Sequence, residues 1–309
     1  MGFGSFDDIC SKTAFPLCSV VGAVDRDSYF SRGIVAICYA RPVELANTMI
    51  FQIGNAFVHI GTLIILLIII FNTRAKYTAI GRTEMLYLMY TLIGLSVSSL
   101  IVDCGVSPPS SSSYAYFVCV QLGFTGATCI GLLYNGIICF QFWEDGTRKS
   151  MWILRVVSVL WFLVNFIVPL FTFKGWGSAL DNRNTTAMFI VNYLINAIIL
   201  LLYVVSQIIL VIFALDNYWP MGAILLGVFF FVVGQVLVYV FNSQICNGLS
   251  HYVDGLFFGS LCNLFAVMMI YKFWDMITTD DLEFSVASVE QGINAFGGDD
   301  EKRQSAFFN

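Results

Sequence analysis

Charged side chains are scarce in this sequence. Only 11% of its 309 residues are Asp, Glu, Lys or Arg, and 58% are hydrophobic. A soluble domain usually carries about 25% charged residues. The composition therefore excludes an ordinary soluble domain and places the chain among membrane proteins.

Residues that carry chemistry are scarcer still. His59 and His251 are the two histidines. They fall on different predicted elements, and no HExxH motif or Cys/His cluster accompanies them. No phosphate-binding glycine loop, nucleophile elbow or kinase signature occurs, and no basic stripe suggests nucleic acid. We therefore expect no catalytic, metal or cofactor site, no enzyme activity and no nucleic-acid partner.

Seven apolar runs are present, and each is long enough to cross a bilayer as a helix, which takes about 20 residues. They cover roughly residues 50–71, 85–102, 116–141, 151–172, 186–215, 221–241 and 255–273. We predict an all-α, polytopic membrane protein with seven transmembrane helices. Three regions follow: an N-terminal segment over 1–49, a seven-helix bundle over 50–273, and an acidic tail over 274–309 that is largely flexible after about residue 291.

Basic residues in the loops predict an orientation. The first and third loops carry most of the loop Lys and Arg, and the second loop carries none. Since cytoplasmic loops collect basic residues, the first and third loops are predicted to be cytoplasmic. With seven spans, the N-terminus is then luminal and the acidic tail cytosolic. Four basic residues before the first span argue against this orientation: Lys12, Arg26, Arg32 and Arg41.

Two features agree with a luminal N-terminus. The sequence Asn184-Thr185-Thr186 is the glycosylation sequon of the fourth loop. Five loop cysteines fall on the same predicted side, where disulfides can form: Cys10, Cys18, Cys38, Cys104 and Cys246. We expect a Cys10–Cys18 disulfide, and an odd number leaves at least one of the five unpaired. The alternatives are a chance sequon and buried thiols.

Neutral amides replace ionisable groups inside the spans. Transporters and pumps need charged or titratable groups there, and the acidic residues of this bundle fall near span ends. Amides in lipid instead join helices. Asn192 and Asn196 share one helical face, so they are candidates to face outward and bind the spans of another membrane protein. The alternative is packing inside the bundle, which we also expect for His59.

Four blocks of sequence resemble the fungal chitin synthase export chaperone family. They are FDDICSKTAFPLCSVVG, CYARPVELANTMIFQIGNAFVHIG, FQFWEDGTRKSMWILR and GLFFGSLCNLFAVMMIYKFWDMITTDDLEFSV, between residues 6 and 286. The resemblance implies a multi-pass protein of the endoplasmic reticulum membrane, without catalysis of its own. It implies a direct complex with a chitin synthase, which then folds and leaves for the plasma membrane to make cell-wall chitin.

Two other functions are kept open. The protein could be a regulatory subunit that accompanies the synthase to the plasma membrane, or a seven-span transporter or receptor. A transporter needs a charged or polar central cavity, and the sequence argues against one. Lys272 lies at the end of the seventh run, so a retinal-binding lysine at mid-span is missing, and the usual signatures of G-protein-coupled receptors are absent.

The acidic tail offers candidate binding signals. Asp281 and Glu283 fit the Asp-x-Glu pattern that vesicle coat proteins select, and Phe307 with Phe308 could form an aromatic export signal. Leu282 and Phe284 could instead anchor the segment in a groove of a partner, with the acidic residues giving selectivity. The alternative is a solvated tail without a partner.

Overall fold

The computed structural model describes residues 4–22, 33–45, 48–109, 111–140, 144–176, 184–215 and 218–278. Within these ranges, seven helices are long and apolar enough to cross a membrane. The prediction of an all-α protein with seven transmembrane helices is confirmed. The tail residues Asp281, Leu282, Glu283, Phe284, Phe307 and Phe308 lie outside the described residues.

Four spans come first along the chain: α2 (Ile53–Ala75), α3 (Arg82–Asp103), α4 (Tyr114–Ile138) and α5 (Arg148–Lys174). The fifth span consists of α6 (Thr186–Phe189), a π-helical stretch (Ile190–Ile195) and α7 (Asn196–Ala214). The sixth is α8 (Trp219–Tyr239). The seventh is α10 (Gly255–Thr278), which extends five residues beyond the predicted run.

Short elements precede or connect the spans. They are α1 (Asp7–Lys12), a 3-10 turn (Pro16–Ser19), the antiparallel strands β1 (Val43–Leu45) and β2 (Thr48–Ile50), and α9 (Asn242–Gly248). The hairpin leads directly into α2, and α9 lies between the sixth and seventh spans. These elements collect at one end of the bundle.

Small residues allow the spans to pack closely at the centre. A Cβ atom placed on Gly126 of α4 would lie 2.5 Å from the side chain of Asn165 on α5. A Cβ atom on Gly94 of α3 would lie 2.5 Å from the ring of Phe124 on α4. Helices in lipid associate through such close contacts, and these two glycines let α4 pack closely against α3 and α5.

The N-terminal segment packs against the bundle. Phe6 and Leu17 are buried in one apolar cluster with Val118 of α4 and Phe173 of α5. The hydroxyl of Thr13 donates to the carbonyl of Val238 at 2.9 Å. We call this side, which also carries α9, the N-terminal end, and the other side the opposite end.

Candidate functional sites at the two ends of the bundle

The predicted partner-binding pair, Asn192 and Asn196, lies inside the bundle. Their exposed fractions are 8% and 4%. The indole N–H of Trp161 donates to Asn196 Oδ1 at 2.9 Å, and Asn196 Nδ2 donates to Asn165 Oδ1 at 3.0 Å. Both side chains are buried, so the outward orientation expected for this pair is corrected. For Asn196 the reason is that an amide facing hydrocarbon would lack the partners that α5 supplies here.

Asn192 differs from Asn196 in its backbone. It lies in the π-helical stretch Ile190–Ile195, which widens the helix by one residue per turn. Its Nδ2 donates to the carbonyl of Met188 at 3.3 Å. Its Oδ1 is buried and has no hydrogen-bond partner among the described residues. The two amides therefore serve different local roles although they share a helical face.

At the opposite end, Glu84 clamps the third loop. This carboxylate is fully buried, with 0% of the residue exposed. Its Oε1 accepts from the amide of Gly146 at 2.9 Å and from the hydroxyl of Ser150 at 2.8 Å. Asp145 in the same loop accepts from the amide of Gly81 at 2.6 Å. The first turn of α3 and the start of α5 are thus held together.

The point where the tail leaves the bundle is also fixed. Trp274 donates its indole N–H to the carbonyl of Ile80 at 3.0 Å. Asp275 forms ion pairs with Lys76 of the first loop and, at 2.9 Å, with Lys272. Thr278, the last described residue, is buried and donates to the carbonyl of Trp274 at 2.9 Å. The acidic tail therefore begins from an anchored position at this end.

At the N-terminal end, two disulfides secure the segment before the first span. Cys10 is joined to Cys18, the pair expected from the sequence. Cys38 is joined to Cys246, which follows it by 208 residues. The sequence indicated the side of these cysteines but gave no signal for this second pairing, since only the tertiary structure brings α9 to the N-terminal segment.

Asp103 is the hub of a buried polar cluster beneath that segment. Its Oδ2 accepts from Asn55 Nδ2 at 2.6 Å and lies 3.4 Å from Nε2 of His59. The hydroxyl of Ser260 on α10 donates in turn to Asn55 Oδ1. The packing role expected for His59 fits these contacts. Asp103, which the sequence placed only at a span end, joins α2 and α3 and reaches α10 through Asn55.

A second buried carboxylate lies nearby. Asp254, just before α10, is 2% exposed, and its Oδ1 accepts from the amide of Phe257 at 3.4 Å. Its Oδ2 has no partner among the described residues. Burial raises the pKa of Asp254 to about 6, against the lowering effect of the Phe257 amide and with a further increase from Asp103.

The predicted glycosylation acceptor lies at the same end. Asn184 is exposed, and the hydroxyl of the next residue, Thr185, donates to the carbonyl of Gly4 at 2.9 Å. The sequon, both disulfides and the N-terminal segment are therefore grouped on one side of the bundle.

The fold defines a polytopic membrane protein with a seven-helix bundle and an N-terminal segment packed on one end. A model of the chitin synthase export chaperone family matches residues 2–288, and the chain belongs to that family.

Similar proteins cover nearly the whole chain. The chitin synthase export chaperones of Debaryomyces hansenii and Candida albicans are each 74% identical to it, over 100% of both chains. That of Saccharomyces cerevisiae is 49% identical, over 94% of this chain and 97% of its own length. No solved structure matches this chain.

Proposed function

We propose that this protein is a non-catalytic export chaperone for a chitin synthase in the endoplasmic reticulum membrane. It binds the synthase there and enables it to fold and to leave for the plasma membrane, where cell-wall chitin is made. The observation that carries this proposal is the 74% identity, over full length, to two proteins named chitin synthase export chaperone.

The proposed complex has two parts. The lipid-facing sides of the spans offer apolar surface, and those of α5 and α8 include exposed Trp152, Leu160 and Phe229. Lipid tails are as apolar as these side chains, so there is no hydrophobic driving force between helices in the membrane. Spans of the synthase can instead associate with this surface through van der Waals packing. The second part is the tail, in which Leu282 and Phe284 anchor in a groove of the synthase.

The contacts that fix the start of the tail, at Trp274 and Asp275, support that second contact; we call these two residues the tail root. Trp274 and Asp275 fix the chain where it leaves the bundle. Only a few residues separate this root from Leu282 and Phe284. A short tether raises the effective concentration of the tail segment for a synthase that already packs beside the bundle. Asp281 and Glu283, and separately Phe307 and Phe308, are proposed signals for vesicle coat proteins.

We propose that the N-terminal end faces the lumen. Its two disulfides and the exposed Asn184 suit an oxidising, glycosylating compartment. The opposite end carries Arg74, Lys76 and Arg148, as cytoplasmic loops do. Protease treatment of intact microsomes should spare an N-terminal tag and remove a C-terminal one. If the protease removed the N-terminal tag from intact microsomes, the N-terminal end would face the cytosol, which would contradict the proposed topology.

The function is tested in cells that lack this protein. The synthase should remain in the endoplasmic reticulum and wall chitin should fall, and the wild-type chain should restore both. Normal surface delivery of the synthase without the protein would contradict the proposal. Imaging both proteins also separates the chaperone from a regulatory subunit, because a subunit would stay with the synthase at the plasma membrane.

Paired tail variants separate binding from export. Leu282→Ala with Phe284→Ala should weaken co-purification with the synthase. Asp281→Ala with Glu283→Ala, the matched control in the same segment, should preserve the complex but slow its exit. A chain truncated after Ile277 that still bound and exported the synthase would show that the tail has neither role.

A further inference from the structure

The Cys38–Cys246 disulfide lies against an imidazole. Nδ1 of His251 is 3.3 Å from Sγ of Cys38 and 3.5 Å from Sγ of Cys246. The three atoms lie within 4.8 Å of one another. Both sulfurs are buried, whereas His251 is half-buried. Two thiolates and one imidazole in this arrangement make a familiar zinc ligand set.

Two of the three distances between the ligand atoms already suit a tetrahedral metal ion. With Zn–S distances near 2.3 Å and Zn–N distances near 2.1 Å, tetrahedral geometry sets sulfur and nitrogen about 3.6 Å apart. The observed values of 3.3 and 3.5 Å are close to that separation. Only the two bonded sulfurs must separate, to about 3.7 Å. Reduction of the bond permits that movement through side-chain rotation.

The backbone holds His251 in an unusual conformation. Ser250 and His251 are consecutive non-glycine residues with φ values of 53° and 65°. Such values are uncommon for residues with a side chain and often occur where function requires them. The amide of His251 donates to the carbonyl of Cys246 at 2.9 Å, and its carbonyl accepts from the amide of Arg41 at 2.8 Å. These bonds hold the backbone of His251 beside the two cysteines, and Nδ1 of its imidazole also lies 3.3 Å from the carbonyl oxygen of Tyr39.

We propose that Cys38, Cys246 and His251 bind Zn²⁺ when the disulfide is reduced. Asn247 can supply the fourth ligand, because its Oδ1 lies 3.3 Å from Sγ of Cys38; water is the alternative. Thiolate and imidazole ligands favour Zn²⁺ over Mg²⁺ or Ca²⁺, which prefer oxygen. The zinc site is independent of the proposed chaperone function.

The exchange between the two states balances with a dithiol as reductant. One thiolate of the dithiol attacks a sulfur of the disulfide and releases the other cysteine as a thiolate. The second thiolate of the dithiol then attacks the mixed disulfide and releases the remaining cysteine as a thiolate. Two electrons pass to Cys38 and Cys246, and the dithiol leaves as its own disulfide. Zn²⁺ then binds as the two thiols release two protons. In either state the N-terminal segment stays attached to α9.

Cobalt binding to the full-length protein in detergent tests this proposal, because tetrahedral Co²⁺–thiolate sites absorb light. The protein is reduced with a dithiol, freed of it without air, and titrated with Co²⁺. We expect one Co²⁺ per chain with thiolate charge-transfer absorption, displaced by Zn²⁺, and no such signal from the oxidised protein. Cys10→Ser with Cys18→Ser, the matched control, should bind equally.

Variants of the three ligands decide the outcome. Cys38→Ser with Cys246→Ser should abolish the absorption, and His251→Ala should weaken Co²⁺ affinity at least about tenfold. His251→Cys restores a third ligand and should recover binding, which a merely structural histidine would not predict. The proposal is overturned if reduced wild type shows no more cobalt–thiolate signal than the double Ser variant. It is equally overturned if His251→Ala binds Co²⁺ with unchanged affinity.

Discussion

Glu84 at the start of α3 accepts a 2.8 Å hydrogen bond from the hydroxyl of Ser150 in the first turn of α5, 66 residues later in the chain. This bond and the one from Gly146 at 2.9 Å attach the third loop to the opposite end of the bundle. A fully buried carboxylate is costly unless protein groups donate to it, and here two elements do so. The geometry of the third loop therefore depends on one residue of another span.

Glu84→Ala should destabilise the protein by about 3 kcal/mol, because the buried donors of Gly146 and Ser150 both lose their acceptor. Glu84→Gln keeps one oxygen and should cost less. Thermal unfolding in detergent measures both effects. Glu144→Ala is the matched control, since Glu144 is exposed in the same loop. Equal midpoints for Glu84→Ala and Glu144→Ala would show that the clamp contributes nothing.

Asn196→Ala should weaken the contact between α5 and α7 by about 1–2 kcal/mol, because it removes bonds to both Trp161 and Asn165. Unfolding in mixed detergent micelles provides the measurement. Asn263→Ala makes the same chemical change at an exposed amide of α10 and should be nearly neutral. If the two variants unfolded alike, the buried amide network would not stabilise the contact between α5 and α7.

Loss of the Cys38–Cys246 disulfide should cost more than loss of Cys10–Cys18. The two bridges close loops with separations of 208 and 8 residues. The chain-entropy relation gives about 5 and about 2.5 kcal/mol for loops of these lengths. Paired Ser variants, unfolded by denaturing detergent, test the order. The opposite order would mean that the spans already restrict the longer loop in the unfolded state.

Stability should fall as pH rises through about 6, because burial raises the pKa of Asp254 from 3.8 to about 6. A raised carboxyl pKa means that the folded state holds the proton more tightly than the unfolded state does. The stability gained from this protonation is therefore complete below pH 3.8, falls as the pH rises, and is lost above the folded pKa of about 6. The difference is at most about 3 kcal/mol. Melting curves between about pH 3 and 7.5 measure it.

Asp254→Asn serves as the control for that pH dependence. The Asn oxygen can still accept from the amide of Phe257, but the side chain no longer titrates. The variant should therefore be more stable than wild type at pH 7 and should lose this part of the pH dependence. If wild type and Asp254→Asn had parallel pH curves, another group would be responsible.

Hydropathy by itself determined the architecture. A run of about 20 apolar residues in lipid must satisfy its backbone hydrogen bonds internally, so each run forms a helix wherever it lies in the bundle. The Cys10–Cys18 disulfide could also be predicted from the sequence, because the two cysteines are only 8 residues apart and can meet within one local segment. The family resemblance was likewise visible in linear blocks of sequence.

Only the tertiary structure decided which polar groups meet. Asn192 and Asn196 could face lipid or protein by sequence alone, because helical periodicity fixes a shared face but not its neighbour. Glu84 and Asp103 looked like ordinary span ends, yet partners from other elements let them be buried. Cys38, Cys246 and His251 converge only because the N-terminal segment packs on α9. Contacts between distant segments depend on how the helices pack, and a linear pattern does not contain that information.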